Sequence, residues 1–289
     1  IDTSLGQGKT LQQAMQIGGA SLLRANAKEI RQPHARPNAS ITGHRRTPQQ
    51  QHCNAERLLL NLPAHGPMPE AIPIRKPVSI NAPEITATRR IYVIGFNRCG
   101  TRSLTTAFKQ AGIGCVHWDR NQLMLAILSD LRCNGRINLS AHYPGSNAFL
   151  DLIHVPEHGE RGDHILSEGA LLHRQLIDSD PDAYFILNTR NVEHWLASRC
   201  RHLNGSFLEI YRRHLSNIHN RTFSVDDVLL EWRRMWHQAH AEILSRFQRE
   251  PKLRGLVFDI ETTPYDALKQ FLAEDYTLVG DALPRSGNG

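Results

Sequence analysis

The sequence predicts a three-layer α/β fold, a mostly parallel sheet with helices on both faces, preceded by a largely disordered basic N-terminal arm. Three observations predict it. An apolar run, Ile91 to Ile94, enters a glycine-bounded loop and then a helical pattern. A second apolar run, Tyr184 to Leu187, feeds another helical pattern from Asn191 to Arg199. Apolar runs that alternate with helices are the signature of parallel strands covered on both faces. The residues before them differ in kind: 1–88 carry nine of the fifteen prolines, and Pro33 to Gln51 is polar and basic. That composition buries too little apolar surface to order a chain. The expected division is therefore an arm over 1–88, with one helical island over 10–30, and an α/β domain over 89–289.

Charge follows the same division. The first ninety residues hold 12 of the 34 Lys and Arg and 5 of the 28 Asp and Glu, net +7, which leaves the rest net −1. The basic balance belongs to the arm, which is expected to meet an acidic partner. The α/β domain has no general nucleic-acid-binding charge. Leu58, Leu59 and Leu60 form a small apolar patch in the arm. No apolar run approaches the ~20 residues that span a bilayer, and no signal-peptide pattern is visible. The five cysteines are odd in number and form no C-x-x-C pair. A reducing, cytoplasmic setting is expected.

The first strand–loop–helix unit carries the chemistry. Gly95 and Gly100 permit a tight path between strand and helix, and Leu104, Ala107 and Phe108 place the helix start near Thr101. Free N–H groups at that start favour an anion. The spacing approaches the nucleotide-binding pattern G-x-x-x-x-G-K-[ST], but Thr101 stands for lysine and Arg102 for the magnesium-binding hydroxyl. The cation has moved inside the loop, to Arg98.

This rearranged run, Asn97-Arg98-Cys99-Gly100-Thr101-Arg102-Ser103-Leu104, resembles the 5′-phosphosulfate loop of sulfotransferases. The resemblance implies a P-loop-like fold and PAPS (3′-phosphoadenosine 5′-phosphosulfate) as donor. It implies that Asn97, Arg98, Cys99, Gly100, Thr101, Arg102 and Ser103 hold the donor's 5′ end. The second unit is similar to the family's 3′-phosphate motif, with Arg190 at the strand end and Ser198 eight residues on, about two helical turns. An arginine fork and a serine hydroxyl suit a phosphate. The resemblance continues through Leu256 to Glu261 and the helix Tyr265 to Leu272, and covers roughly 89–276.

The other expectations concern the reaction. Arg98 is expected to stabilise the departing oxygen, and the acceptor proton needs a general base. Asp151, in a run similar to a phenylalanine–small–aspartate turn of bacterial-type members, and Asp119, after Val116-His117-Trp118, are the leading choices. His117 and His154 stand behind them. Cys99 lies near Arg98 and a helix start, where its thiol pKa is expected either to fall or to matter little beside its role as a small loop filler. The stripe Trp232, Trp236, Ala239, Ile243 and Phe247 reads as core. No metal site is expected. The acceptor is expected to carry a hydroxyl, or less readily an amine, on a carbohydrate, lipid-linked or small molecule. A non-catalytic nucleotide-binding scaffold and a P-loop kinase are the competing readings. The family's late Gly-x-x-Gly-x-x-Lys segment, which closes over the nucleotide, has no counterpart up to Gly289.

Overall fold

A computed structural model describes residues 88–155 and 167–285. The expected arm, with its helix at 10–30, Leu58–Leu60 and Cys53, lies outside the described residues apart from Thr88.

Five strands form one parallel sheet. They are β1 (Ile91–Val93), β2 (Cys115–His117), β3 (Ala148–Leu150), β6 (Tyr184–Thr189) and β7 (Arg254–Asp259), in the order β2-β3-β1-β6-β7. β1 is central, with Ile91 opposite both Ala148 and Tyr184. β1, β3 and β6 are buried along their whole length, as a strand covered on both faces requires.

The two-residue alternation of strands sorts this core into two layers. On one face Ile91, Val93, Ala148, Leu150 and Ile186 pack against α1 (Thr101–Gln110) and α8 (Tyr265–Leu272) through Leu104, Phe108, Leu268 and Leu272. On the other face the ring of Tyr92 stacks between Phe149 and Phe185, at 5.5 and 5.4 Å. A second apolar cluster joins α5 (Val192–Arg201), α6 (Ser206–His219) and α7 (Val225–Arg249) through Trp195, Phe207, Tyr211, Trp232 and Trp236. The predicted stripe of Trp232, Trp236, Ala239 and Ile243 is core. Among the described residues no helix is long and apolar enough to cross a membrane.

The remaining helices are α2 (Gln122–Asn134), α3 (Leu139–His142) and α4 (His173–Ser179). One feature departs from the sequence expectation. The run around Asp151 is a buried strand, β3, rather than a turn, and Asp151 ends it with φ 55°. The chain then reverses in a separate antiparallel pair, β4 (Ile153–His154) with β5 (Ser167–Glu168). Because all five strands of the main sheet run the same way, the loops after β1, β2, β3, β6 and β7 gather at one edge. The connections from β1 and β6 leave toward opposite sides there, which is where open α/β sheets bind ligands.

Candidate active site

The loop between β1 and α1 is held at three points by the far part of the chain. Gly95 donates its N–H to Asn188 Oδ1 at 2.8 Å, and Asn188 Nδ2 donates to the Cys99 carbonyl at 2.9 Å. Trp195 Nε1 donates to the Asn97 carbonyl at 3.0 Å. Asn188 is fully buried on β6, so its amide meets two backbone groups that water cannot reach. Glycine is obligatory at 95, because a Cβ there would stand 2.0 Å from the Asn188 carbonyl oxygen. Gly100 turns into α1 with φ 76°. The first helical bond is Leu104 N–H to the Gly100 carbonyl. The first-turn N–H groups of Thr101 and Arg102 precede that bond and lie outside the intrahelical ladder. Gly100 offers no capping side chain, and no acidic residue lies in the first turn. A helix start of that kind favours an anion.

Cations converge on the loop. Arg98 adopts φ 66°, is half-buried, and donates from Nε to Ser198 Oγ at 3.1 Å. Burial lowers its pKa, Asp151 works against that, and Arg102, Arg190 and Arg201 lower it further. A guanidinium stays charged through such shifts. Arg190 leaves β6 and donates from Nε and Nη2 to Glu261 Oε1 at 3.1 and 2.6 Å, and from Nη1 to the Arg98 carbonyl at 3.4 Å. Glu261 also accepts the N–H of Asn191 at 3.1 Å and lies 3.0 Å from His194 Nδ1. Burial works to raise the Glu261 carboxyl, but Asn191, Arg190 and His194 outweigh it and hold it low. Arg190 and Ser198 thus do not meet directly; Arg98 stands between them. Cys99 is fully buried, and burial pushes its thiol up rather than down. It fills the loop.

The acid–base groups sort by environment. Asp151 keeps 18 % of its side chain exposed, and its Oδ1 is buried without a hydrogen-bond partner. Burial, then Glu168, push this carboxyl up to about 7, against the opposing pull of Arg98 and Arg199. His117 Nε2 lies 3.2 Å from Thr101 Oγ1 and 3.7 Å from Asp151 Oδ2, and burial lowers its pKa. Asp119 is exposed and accepts from Tyr143 Oη at 3.1 Å. It sits in a turn in which Trp118, Asp119, Arg120 and Asn121 all have positive φ. His154 is buried on β4. Among the described residues no group of His, Cys, Asp and Glu is arranged to hold a metal ion.

Residues 164–279 match the family model of the sulfotransferase domain. That stretch is similar to a sulfotransferase domain. A comparison with curated proteins found no match. The matched stretch holds Arg190, Ser198 and Glu261. The loop with Arg98 lies before it, tied to it by the bonds of Asn188, Trp195, Ser198 and Arg190.

The fold therefore brings Arg98, Thr101, His117, Asp151 and Ser198 into one connected set and leaves Asp119 on the neighbouring turn. Sequence reasoning missed Asn188 and Glu261 as parts of the site. Asn188 had a signal: an amide inside an otherwise apolar buried strand must find partners. Glu261 had none, because its partners lie about seventy residues away.

Proposed function

We propose that this sulfotransferase domain transfers a sulfuryl group from PAPS to a hydroxyl acceptor, with Asp151 as the base. The observation that carries the reading is the 3.1 Å bond from Arg98 to Ser198. It joins the two halves of the donor cradle, 100 residues apart in sequence. The cradle fits a bisphosphorylated anion, since it offers a helix start, the arginines 98, 102 and 190, and a serine hydroxyl. PAPS supplies the sulfuryl group and a phosphate leaving group. The chain's own residues do the rest. The N–H groups of Thr101, Arg102 and Ser103 hold the 5′ end; Arg190 and Ser198 hold the 3′ end. Fixing both ends aligns the reacting atoms. Arg98 meets the charge that develops on the departing oxygen.

Asp151 is favoured over Asp119 by its surroundings. A carboxyl that titrates near 7 is matched to taking a proton at neutral pH. As the acceptor oxygen bonds to sulfur, its proton passes to Asp151. Asp119 is exposed and already engaged by Tyr143. A kinase reading gains no support, because the Thr101 hydroxyl is within reach of His117 and Arg102 occupies the metal-binding position of the standard loop.

Calorimetric titration with adenosine 3′,5′-bisphosphate tests the donor site. Magnesium-independent binding is expected, weakened by about 2 kcal/mol in Arg98→Ala and in Arg190→Ala, the scale of a lost charged hydrogen bond. Absence of binding by the intact protein would leave a scaffold with a sulfotransferase-like domain.

A further inference from the structure

Beneath the site lies a buried ion pair that the proposed transfer does not yet use. Arg199 follows Ser198 on α5 and is wholly inaccessible, and Glu168 on β5 is 1 % exposed. Arg199 Nη2 donates to Glu168 Oε1 at 2.8 Å, and Tyr211 Oη donates to the same oxygen. The rings of Phe96, Trp195, Phe207, Tyr211 and Trp232 surround the guanidinium at 4.5–5.9 Å. Stability alone does not explain such a pair, because taking two charges out of water often costs more than their attraction returns.

The pair joins the two sides of the site. Glu168 lies opposite Ile153, two residues beyond Asp151. That connection is tight: Gly169 N–H bonds to the Leu152 carbonyl at 2.6 Å, and a Cβ on Gly169 would sit 2.5 Å from Leu152 Cβ. On the other side, Ser198 next to Arg199 takes the bond from Arg98. Glu168 Oε2 and Arg199 Nε and Nη1 are buried without hydrogen-bond partners, as is Asp151 Oδ1. The charges of the pair are therefore only partly spent on each other.

We infer that Glu168 and Arg199 are positioning residues for the proposed transfer, which this inference presupposes: the pair locks Ser198 to the strand pair after Asp151 and places two opposite charges beside that carboxyl. The charged and titratable groups acting on Asp151 are Arg98 from the loop, His117 from β2, Glu168 from β5 and Arg199 from α5. Around the pair itself stand Tyr211 on α6, Cys99 in the loop, and Cys200 and His202 next to Arg199, with His154 on β4 opposite Ser167, the neighbour of Glu168. Glu168 and Arg199 act on Asp151 in opposite senses, Glu168 favouring the protonated form and Arg199 the ionised one.

The test titrates the Asp151 carboxyl in the free, full-length protein by carbon-13 NMR, with the signal assigned by its loss in Asp151→Asn. Glu168→Gln should lower the Asp151 midpoint by about half a pH unit or more, and Arg199→Met should raise it by a similar amount. A role confined to packing predicts no such opposition. Midpoints that stay put, or move the same way in both variants, would overturn the inference. If one single variant fails to fold, the other carries the test, and a midpoint that stays put or moves against the stated direction would overturn the inference. The carboxyl is read without donor or acceptor, so this result stands apart from whether adenosine 3′,5′-bisphosphate binds.

Discussion

At Asp151 the folded protein holds a proton that the unfolded chain releases near pH 4, and this fixes the sign of a stability measurement. Between the ordinary value and about 7, the folded state binds more protons than the unfolded one. Stability therefore falls as pH rises through that window, and the loss persists above it. Asp151→Asn has no charge to bury. It should be more stable than the parent at pH 8, by about 1–4 kcal/mol, since every tenfold difference in proton affinity is worth about 1.4 kcal/mol. At pH 4 the two should match in thermal melts. Equal stability at both pH values would mean that Asp151 titrates normally. Glu261 poses a second residue-scale question, because its carboxylate sits on Arg190 where the donor's 3′-phosphate is proposed to bind. Both side chains are about a quarter exposed, so the pair is weak, about 0.5–1 kcal/mol. Glu261→Gln should tighten adenosine 3′,5′-bisphosphate binding by that amount in calorimetry. Weaker binding would show that Glu261 orients Arg190 rather than competing for it.

Among the elements, β6 does more than carry Arg190. Asn188 spans the phosphate loop from Gly95 to Cys99, so Asn188→Ala leaves two buried backbone groups unmet. Each costs about 1–3 kcal/mol. The variant should lose roughly 3 kcal/mol in urea unfolding and bind the bisphosphate more weakly; an unchanged urea midpoint would mean that the loop holds itself. The same strand shows what was legible in the sequence. Local patterns placed β1, α1, β6 and α5, because strand and helix periods and the glycine spacing are properties of neighbouring residues. Motif spacing singled out Arg98, Ser198 and Arg190 as candidates, but not their pairing. Arg190 turns to Glu261, and Ser198 to Arg98, through contacts that no local pattern encodes. The strand pair β4–β5 was missed because two-residue strands give no period to read. The positive-φ turn 118–121 was missed because it holds no glycine, and of its four residues only Asp119 and Asn121 favour such a conformation.

Over the whole molecule, the proposed donor cradle exists only when distant segments are folded together. The bonds that shape it link residues 89 to 100 positions apart. The unfolded chain therefore has no cradle, and a ligand of the cradle binds the native state alone. By mass action it must stabilise the fold, by about 2.7 kcal/mol at a hundredfold excess over Kd. For a domain of this size each kcal/mol moves Tm by about 2–4 °C, so adenosine 3′,5′-bisphosphate should raise Tm by roughly 5–10 °C. Arg98→Ala separates the two contributions of that arginine. Half-buried and at the loop surface, it supports the fold mainly through one bond to Ser198, so the ligand-free variant should melt close to the parent. Its Tm gain at the same bisphosphate concentration should largely vanish. A full gain in Arg98→Ala would place the anion away from the loop, and with it the charge that the proposed transfer requires at the leaving oxygen.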